Sequence, residues 1–320
     1  MNTGQSPLTS AEALPPLALI AGPTASGKSD LAVRLALALE KRGRRGVVIN
    51  ADSAQVYADL KLLSARPTDE QMQGVDHRLF GTWDGAVACT AADWAAAASR
   101  EIAAIHADGA VPILVGGTGL YIRTLLDGIA PVPPIDPAIR EQVRTLPVAD
   151  AYSALCLEDA ERAAKLAAND AQRIARALEV VRSTGQTLAA WQAETSGGIS
   201  GTVTLHPVIL LPDRQWLYDR CDERFAAMLD NGAIAEVGAL LARGLSLDAP
   251  VARAIGVADV AGMLSGNWDR VEAERRGAQA TRNYVKRQLT WLRHQLPPDW
   301  HRAEAESFNE EELFASLLRD

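Results

Sequence analysis

Eight consecutive residues, Gly22, Pro23, Thr24, Ala25, Ser26, Gly27, Lys28 and Ser29, satisfy the pattern GxxxxGK[ST]. In that pattern the glycines let successive backbone N–H groups point inward at phosphate oxygens, and the start of the following helix adds partial positive charge. Lys28 supplies a full charge, and the Ser29 hydroxyl is placed to ligate Mg²⁺. Such a loop grips a diphosphate without saying whose: a nucleotide and any other diphosphate ester satisfy it equally. Asp52 follows the run GVVIN, where a carboxylate near the phosphate loop could take a proton from an acceptor. Aspartate is also a common helix cap, and position alone leaves both jobs open. Gly116, Gly117, Thr118 and Gly119 follow another apolar run, where glycines allow either close backbone approach by a ligand or a tight turn.

These residues need a frame. Leu17–Ala21, Gly46–Asn50 and Val111–Val115 read as buried strands, with helices expected at Lys28 to about Arg42 and from Thr90/Asp93 to Asp108. Strands alternating with helices imply a parallel sheet covered on both faces, with each chemical residue leaving the C-terminal end of a strand. The proline-dense stretch APVPPIDP then changes the texture, and Asp136 to Gly185 reads as helix throughout. Leu205–Leu211 looks like a returning strand, followed by helices to the end, the last of them around Glu311–Leu318. The expected fold class is therefore α/β, a parallel-sheet core flanked by helices and interrupted by an all-helical insertion. The boundaries read as a flexible tail at 1–16, the core at 17–127 and 191–320, and the insertion at 128–190.

The chain of 320 residues is 48% hydrophobic and 22% charged, as expected for a globular α/β protein. No run approaches the roughly 20 apolar residues needed to span a bilayer, and the N-terminus has neither a basic start nor an apolar segment of the secretory kind. Cys89, Cys156 and Cys221 are far apart and odd in number, as free thiols in a reducing cytoplasm would be. A net charge of −8 argues at first against a nucleic-acid partner. Yet Arg275 to Pro298 holds six Lys and Arg residues and no acid, leaving the rest of the chain at −14. At 100° per residue, Arg275, Arg282, Lys286 and Arg293 fall within about 40° of one another, beside an apolar face of Val285, Leu289, Leu292 and Leu296. A basic stripe on an anchored helix suits phosphate contact better than a solvated edge, because no acid is interleaved.

Taken together, GPTASGKS at 22–29, DSAQVY at 52–57, LVGGTGLYIR at 114–123, QRIARALEV at 172–180, DERFAAML at 222–229, ARAIG at 252–256 and KRQLTWLR at 286–293 resemble the tRNA dimethylallyltransferases (tRNA isopentenyltransferases). The resemblance runs in the family's order over about residues 17–296. It implies that the phosphate loop holds dimethylallyl diphosphate rather than ATP, with Mg²⁺. The implied acceptor is N6 of adenosine 37, in the anticodon stem-loop of tRNA. By resemblance Asp52 is the general base, Lys28 meets the charge of the leaving diphosphate, and Thr24 presents a hydroxyl to the donor. The same resemblance implies that Asp52, Ser53, Ala54, Gln55 and Thr118 lie against the target base. It carries tRNA contact to Arg140, Gln172, Arg173, Ile174, Ala175 and Arg176 of the insertion, and to Arg253, Gly256, Lys286, Arg287 and Arg293. Without the family, Arg173 and Arg176 read as a solvated face. A cytoplasmic monomer with no membrane partner is expected.

The sequence departs from the family pattern after DSAQVY, where a glycine turn and GTAKP are usual. Here the chain reads Ala58-Asp-Leu-Lys-Leu-Leu-Ser-Ala-Arg66-Pro67, so Arg66 replaces the lysine. A usual pair of histidines appears as Asp76-His77, and Val257 stands where an aromatic is commoner. Asp52 and Lys28 remain, so activity is expected. The competing readings are an ATP-dependent small-molecule kinase on the same loop and a non-catalytic RNA-binding module. The first does not need the basic helix, and the second does not need the intact loop with Asp52.

Overall fold

The computed structural model describes residues 13–246 and 249–319. Most of the expected tail, residues 1–12, lies outside the described residues. The chain divides into two compact units, one formed by residues 1–123 and 200–320 and the other by Thr124–Ile199.

The first unit is built on six strands: β1 (Pro16–Ala21), β2 (Gly46–Asn50), β3 (Asp76–Arg78), β4 (Val111–Gly116), β5 (Thr204–Leu210) and β6 (His301–Ala303). Their order is β3-β2-β4-β1-β5-β6, and every pairing is parallel. Strands buried on both faces read as unbroken apolar runs, which is why PLALIA and GVVIN could be recognised. β3 and β6 could not: each has three residues, at least two of them charged or histidine, and lies at an edge. The chain after β5 is therefore not all helix, contrary to the sequence reading.

Helix α1 (Lys28–Glu40) packs Leu31, Leu35 and Leu39 onto Ala18, Ile20, Val48, Ile113 and Val115 of the sheet. Leu17, Leu19, Ile49 and Leu114 alternate with these and are fully buried on the other face. After the short α2 (Asp69–Met72) comes α3 (Ala91–Ala107), started by a capping box in which Thr90 and Asp93 bond reciprocally. Buried Trp94 of α3 donates its indole N–H to the Asn50 carbonyl, 2.9 Å away. Helix α4 (Gly119–Asp127) leads into the second unit.

That unit holds α5 (Pro137–Thr145), α6 (Val148–Glu158), α7 (Ala160–Ala164), α8 (Ala171–Thr184) and α9 (Leu188–Gln192). Asp136, Asp159 and Asp170 each cap a helix start. Val143, Leu155, Ile174, Ala177 and Leu178 form its core. The unit is wider than the expected 128–190. An antiparallel bridge between Ile129 and Ser196, and a bond from Ile199 N to Leu125 O, close its base beyond the proline-rich connector.

Back in the first unit, α10 (Arg214–Asp230), α11 (Ala233–Ala242), α12 (Val257–Leu264) and α13 (Arg270–His294) follow β5. The expected final helix is two short ones, α14 (Glu310–Leu313) and α15 (Ala315–Arg319), parted at Phe314, which is buried in the sheet core. Among the described residues no single helix is long and apolar enough to cross a membrane.

Candidate active site

The parallel topology sends the ends of β1, β2, β4 and β5 to one edge of the sheet. The phosphate loop leaves β1 there, bonded through Gly22 N to Gly116 O at 3.1 Å. Gly27 takes φ +85°, a left-handed turn that glycine adopts without cost, before α1 begins. Lys28 is buried and donates to the Pro23 carbonyl at 3.1 Å. Burial pulls its ammonium down from the ordinary lysine value to about 8, against the opposing pull of the Asp52 charge. The Ser26 hydroxyl is buried with no hydrogen-bond partner. An unpartnered buried hydroxyl on this loop can donate to an anion's oxygen.

Asp52 leaves β2 and is buried. No helix follows it. Its backbone N–H is fixed by Asn50 Oδ1 at 2.9 Å, and its own Oδ1 accepts the Ala54 N–H at 2.9 Å. Among the described residues Oδ2 accepts no bond. The open alternative of a helix cap thus resolves into a local turn that uses one carboxylate oxygen and leaves the other toward a cavity. Thr118 joins the group from the end of β4: its hydroxyl accepts the Ser53 N–H at 2.9 Å, and its N–H bonds Ala51 O at 3.2 Å. Gly116 and Gly117 are glycine because loops crowd there. A Cβ on Gly116 would stand 2.2 Å from Ala51 O, and one on Gly117 2.6 Å from Gly22 O.

Two cavities open along this edge and share a wall. One, of about 260 Å³, is lined by Asp52, Ser53, Ala54 and Tyr57 with apolar Leu63, Phe225 and Met228. The other, of about 660 Å³, is lined by the loop from Thr24 to Asp30 with Lys61, Arg66, Arg220 and Arg224. Thr24, Ala65, Arg224 and Met228 line both. Arg224 donates to the Thr24 hydroxyl, and Arg220 donates to Ala25 O at 3.1 Å while stacking 4.6 Å over Trp216. Burial pushes the Arg224 guanidinium down from its ordinary value. The cationic cavity suits a diphosphate. The other pairs an apolar lining with a free carboxylate oxygen. Among the described residues no cluster of three His, Cys, Asp or Glu could hold a metal ion. Ser29, half-buried on the cationic cavity, fits instead the usual Mg²⁺ arrangement of one hydroxyl plus substrate phosphate oxygens.

The sequence reading missed Arg220 and Arg224. They are four apart on α10, so one face of that helix carries both. It also passed over Gln288 and Tyr284, which share a face of α13. The apolar face expected on that helix is buried: Val285, Leu289 and Leu292 within it and Leu296 just beyond. The uninterrupted basic stripe is not found. Arg275 pairs with Glu272 at 2.7 Å, Arg276 with Asp259 at 3.3 Å, and Arg282 with Asp222 of α10. Glu272 lies just ahead of the run counted from Arg275, while Asp259 and Asp222 come from α12 and α10, distant in sequence. Lys286, Arg287 and Arg293 stay exposed, with no ion pair among the described residues.

Other expected contact residues hold the chain itself. Gln55 is buried and donates to Ser64 O and Ala65 O at 3.0 and 3.2 Å. Gly256 takes φ +91° ahead of α12, where a Cβ would meet Phe225 at 2.8 Å, and Val257 is buried behind it. Arg253 is exposed at the rim of the smaller cavity. Arg66 rests over Gly81, and His77 bonds Val75 O at 2.8 Å. Within the helical unit, Ile174 is fully buried, so its side chain cannot meet a ligand, and Ala175 packs against the same core. Gln172 and Arg173 are exposed on α8, and Arg173 pairs with Asp170 at 3.3 Å. Arg140, Arg144 and Arg176 gather around buried Glu179 at 3.9, 2.9 and 4.0 Å.

The model of a family described as IPP transferase matches residues 55–295. This chain belongs to the IPP transferase family. A tRNA dimethylallyltransferase of Erythrobacter litoralis is 63% identical over 305 residues, covering 95% of this chain and 96% of the relative. One from Novosphingobium aromaticivorans is 64% identical over 278 residues, covering 87% and 99%. Among solved structures, the full-length tRNA isopentenylpyrophosphate transferase of Bacillus halodurans superposes with a TM-score of 0.67 at 30% identity, covering 95% of this chain and 94% of that one. A eukaryotic dimethylallyltransferase acting on tRNA gives 0.73 at 25% identity, covering 87% and 70%. The IPP transferase chain described here thus shares both sequence and fold with enzymes of one activity.

Proposed function

We propose that this chain transfers a dimethylallyl group from dimethylallyl diphosphate to N6 of adenosine 37 in the anticodon loop of tRNA, releasing diphosphate. The observation that carries the reading is the wall shared by the two cavities. A donor with its diphosphate on Lys28, Ser26 and the loop amides would present its allylic carbon past Thr24 and Arg224 to a base beside Asp52. The family membership and the activity named for the bacterial relatives support it.

The N6 lone pair is delocalised into the adenine ring and is a poor nucleophile. As the nitrogen bonds to the allylic carbon, the carbon–oxygen bond to diphosphate breaks and the N6 proton passes to Asp52 Oδ2. Lys28, Arg220 and Arg224 face the charge that develops on the leaving oxygen. Mg²⁺, held by Ser29 and diphosphate oxygens, would add Lewis-acid stabilisation of the same charge. Stacking hides N6, so the adenine must be flipped into the smaller cavity, at a cost of roughly a few kcal/mol. Leu63, Phe225 and Met228 offer it apolar surface. Phosphates of the tRNA would meet Lys286, Arg287 and Arg293 on α13, Arg253 at the cavity rim, and Arg140, Gln172, Arg173 and Arg176 on the helical unit. We take the enzyme to act as a monomer in the cytoplasm, with Cys89, Cys156 and Cys221 as free thiols.

Incubation of unmodified tRNA with labelled dimethylallyl diphosphate, and separately with labelled ATP, tests the reading. Label from the first should enter tRNA at adenosine 37. Label entering any acceptor from ATP alone would establish the kinase instead.

A further inference from the structure

Helix α13 does more than present cations. Its Gln288 side chain is buried, and both ends of the amide are spent on ligand-binding loops. Oε1 accepts the backbone N–H of Thr24 at 2.8 Å, and Nε2 donates to the backbone carbonyl of Gly117 at 3.1 Å. The partners lie 264 and 171 residues away in sequence, one on the phosphate loop and one on the loop that carries Thr118. Gly117 has no side chain at this point, where a Cβ would stand 2.4 Å from Nε2. A primary amide accepts and donates in a fixed, coplanar geometry and carries no charge at any accessible pH.

We propose that Gln288 is a positioning residue for group transfer, clamping the Thr24 backbone to the Gly117 backbone and so fixing the separation of the donor loop from the acceptor loop. The inference rests on the transferase reading for what the two loops carry. It follows from the geometry that the Thr24 N–H is turned away from the diphosphate and toward α13. The Thr24 hydroxyl, bonded by Arg224, is thereby left facing the shared wall. Thr118, one residue beyond Gly117, holds Ser53 beside Asp52. A slack bridge would let donor and base drift apart, and a misplacement of about 1 Å can cost on the order of 10²-fold in rate.

Gln288→Glu provides a readout that simple packing would not. As a carboxylate the side chain repels the Gly117 carbonyl. As a protonated acid it restores one donor and one acceptor in the same plane, and burial raises its pKa into the accessible range. The groups that titrate nearby are Lys28, Asp52, Tyr284 and Arg224, so the parent's own pH profile is measured beside that of the variant. With the full chain, tRNA transcript and dimethylallyl diphosphate, kcat of the Glu variant should be at least thirtyfold below the parent at pH 8.5. The deficit should shrink to less than fivefold by pH 6, with tRNA affinity within twofold throughout. A kcat ratio that does not change with pH in a folded variant would overturn the bridge.

Gln288→Asn, one methylene too short to reach both loops, serves if the Glu variant does not fold. It should lose at least tenfold in kcat with tRNA affinity kept, and parent-like kcat would overturn the proposal. If the parent itself transfers nothing, the transferase reading fails and the bridge is still tested. At a single pH, the hydrogen-exchange protection factor of the Thr24 amide should then be high in the parent and lower in Gln288→Asn, whose shorter side chain cannot hold both loops. Equal protection in the two would sink it.

Discussion

Asp52 and Lys28 face each other across the edge of the sheet, and each supports a separate expectation. Asp52→Asn keeps the shape of the turn, since the amide oxygen can still accept the Ala54 N–H, but removes the free carboxylate oxygen. Turnover should collapse while tRNA affinity stays. A single-turnover rate within tenfold of the parent, about 1.4 kcal/mol of barrier, would end the general-base role. Lys28 should make donor binding pH-dependent. In the free protein its charge is present below about pH 8 and lost above it, whereas a bound diphosphate would hold the proton. Affinity for inorganic diphosphate should therefore fall as pH rises from 8 to 9.5, approaching about tenfold per unit. Lys28→Arg should flatten the profile, because a guanidinium keeps its charge. Titration calorimetry across that range decides it, and a flat parental curve would place the diphosphate away from Lys28. At this scale the sequence was legible where function is local. GxxxxGK[ST] and the aspartate after GVVIN announce themselves within a few residues. Arg224 and Gln288 did not, because what defines them are partners 171 to 264 residues away.

Helix α13 was expected from its periodicity, and its buried face could be read from Val285, Leu289 and Leu292. Its charge could not be read in the same way. Summing cations along a window treats them as free, yet Arg275, Arg276 and Arg282 each find an acid on the same or a neighbouring helix. The segment with net charge +6 therefore presents Lys286, Arg287 and Arg293 as its cations without an acidic partner among the described residues. Lys286→Glu with Arg293→Glu should weaken tRNA binding strongly and leave diphosphate binding unchanged. The slope of log affinity against log salt should fall by less than about one unit for each phosphate interaction removed. Arg275→Glu, a reversal at an already paired position, should do much less. Equal effects of the two changes, measured by tRNA titration at several salt concentrations, would mean that pairing does not select the RNA-facing surface. The edge strands β3 and β6 escaped for a related reason. Three residues are too few to show a period, and only their register against β2 and β5 makes them strands.

Each of the two units has buried apolar residues of its own. The sheet unit buries Ile20, Leu35, Ile113 and Phe314, and the helical unit buries Val143, Leu155, Ile174 and Leu178. Leu178→Ala should destabilise the helical unit by about 2–5 kcal/mol. In calorimetry or hydrogen exchange the loss should be confined to Thr124–Ile199, with the phosphate loop protected as before. Loss of protection in both units together would show a single cooperative fold. The proline-rich connector signalled that a second unit exists, but its true limits are set by the Ile129–Ser196 bridge, which no local pattern encodes. Helix α13 also binds this chain to a fixed helix length. Gln288 looks inward at two loops, while Lys286, Arg287 and Arg293 look outward from the same two turns. Inserting one residue between Asp269 and Tyr284 would rotate everything beyond it by about 100°, so both faces would miss their targets at once. Inserting seven, close to two full turns, would restore the facing but lift it by about 10 Å. Point substitutions can therefore adjust either face by itself, whereas no change of length in this helix is neutral to both.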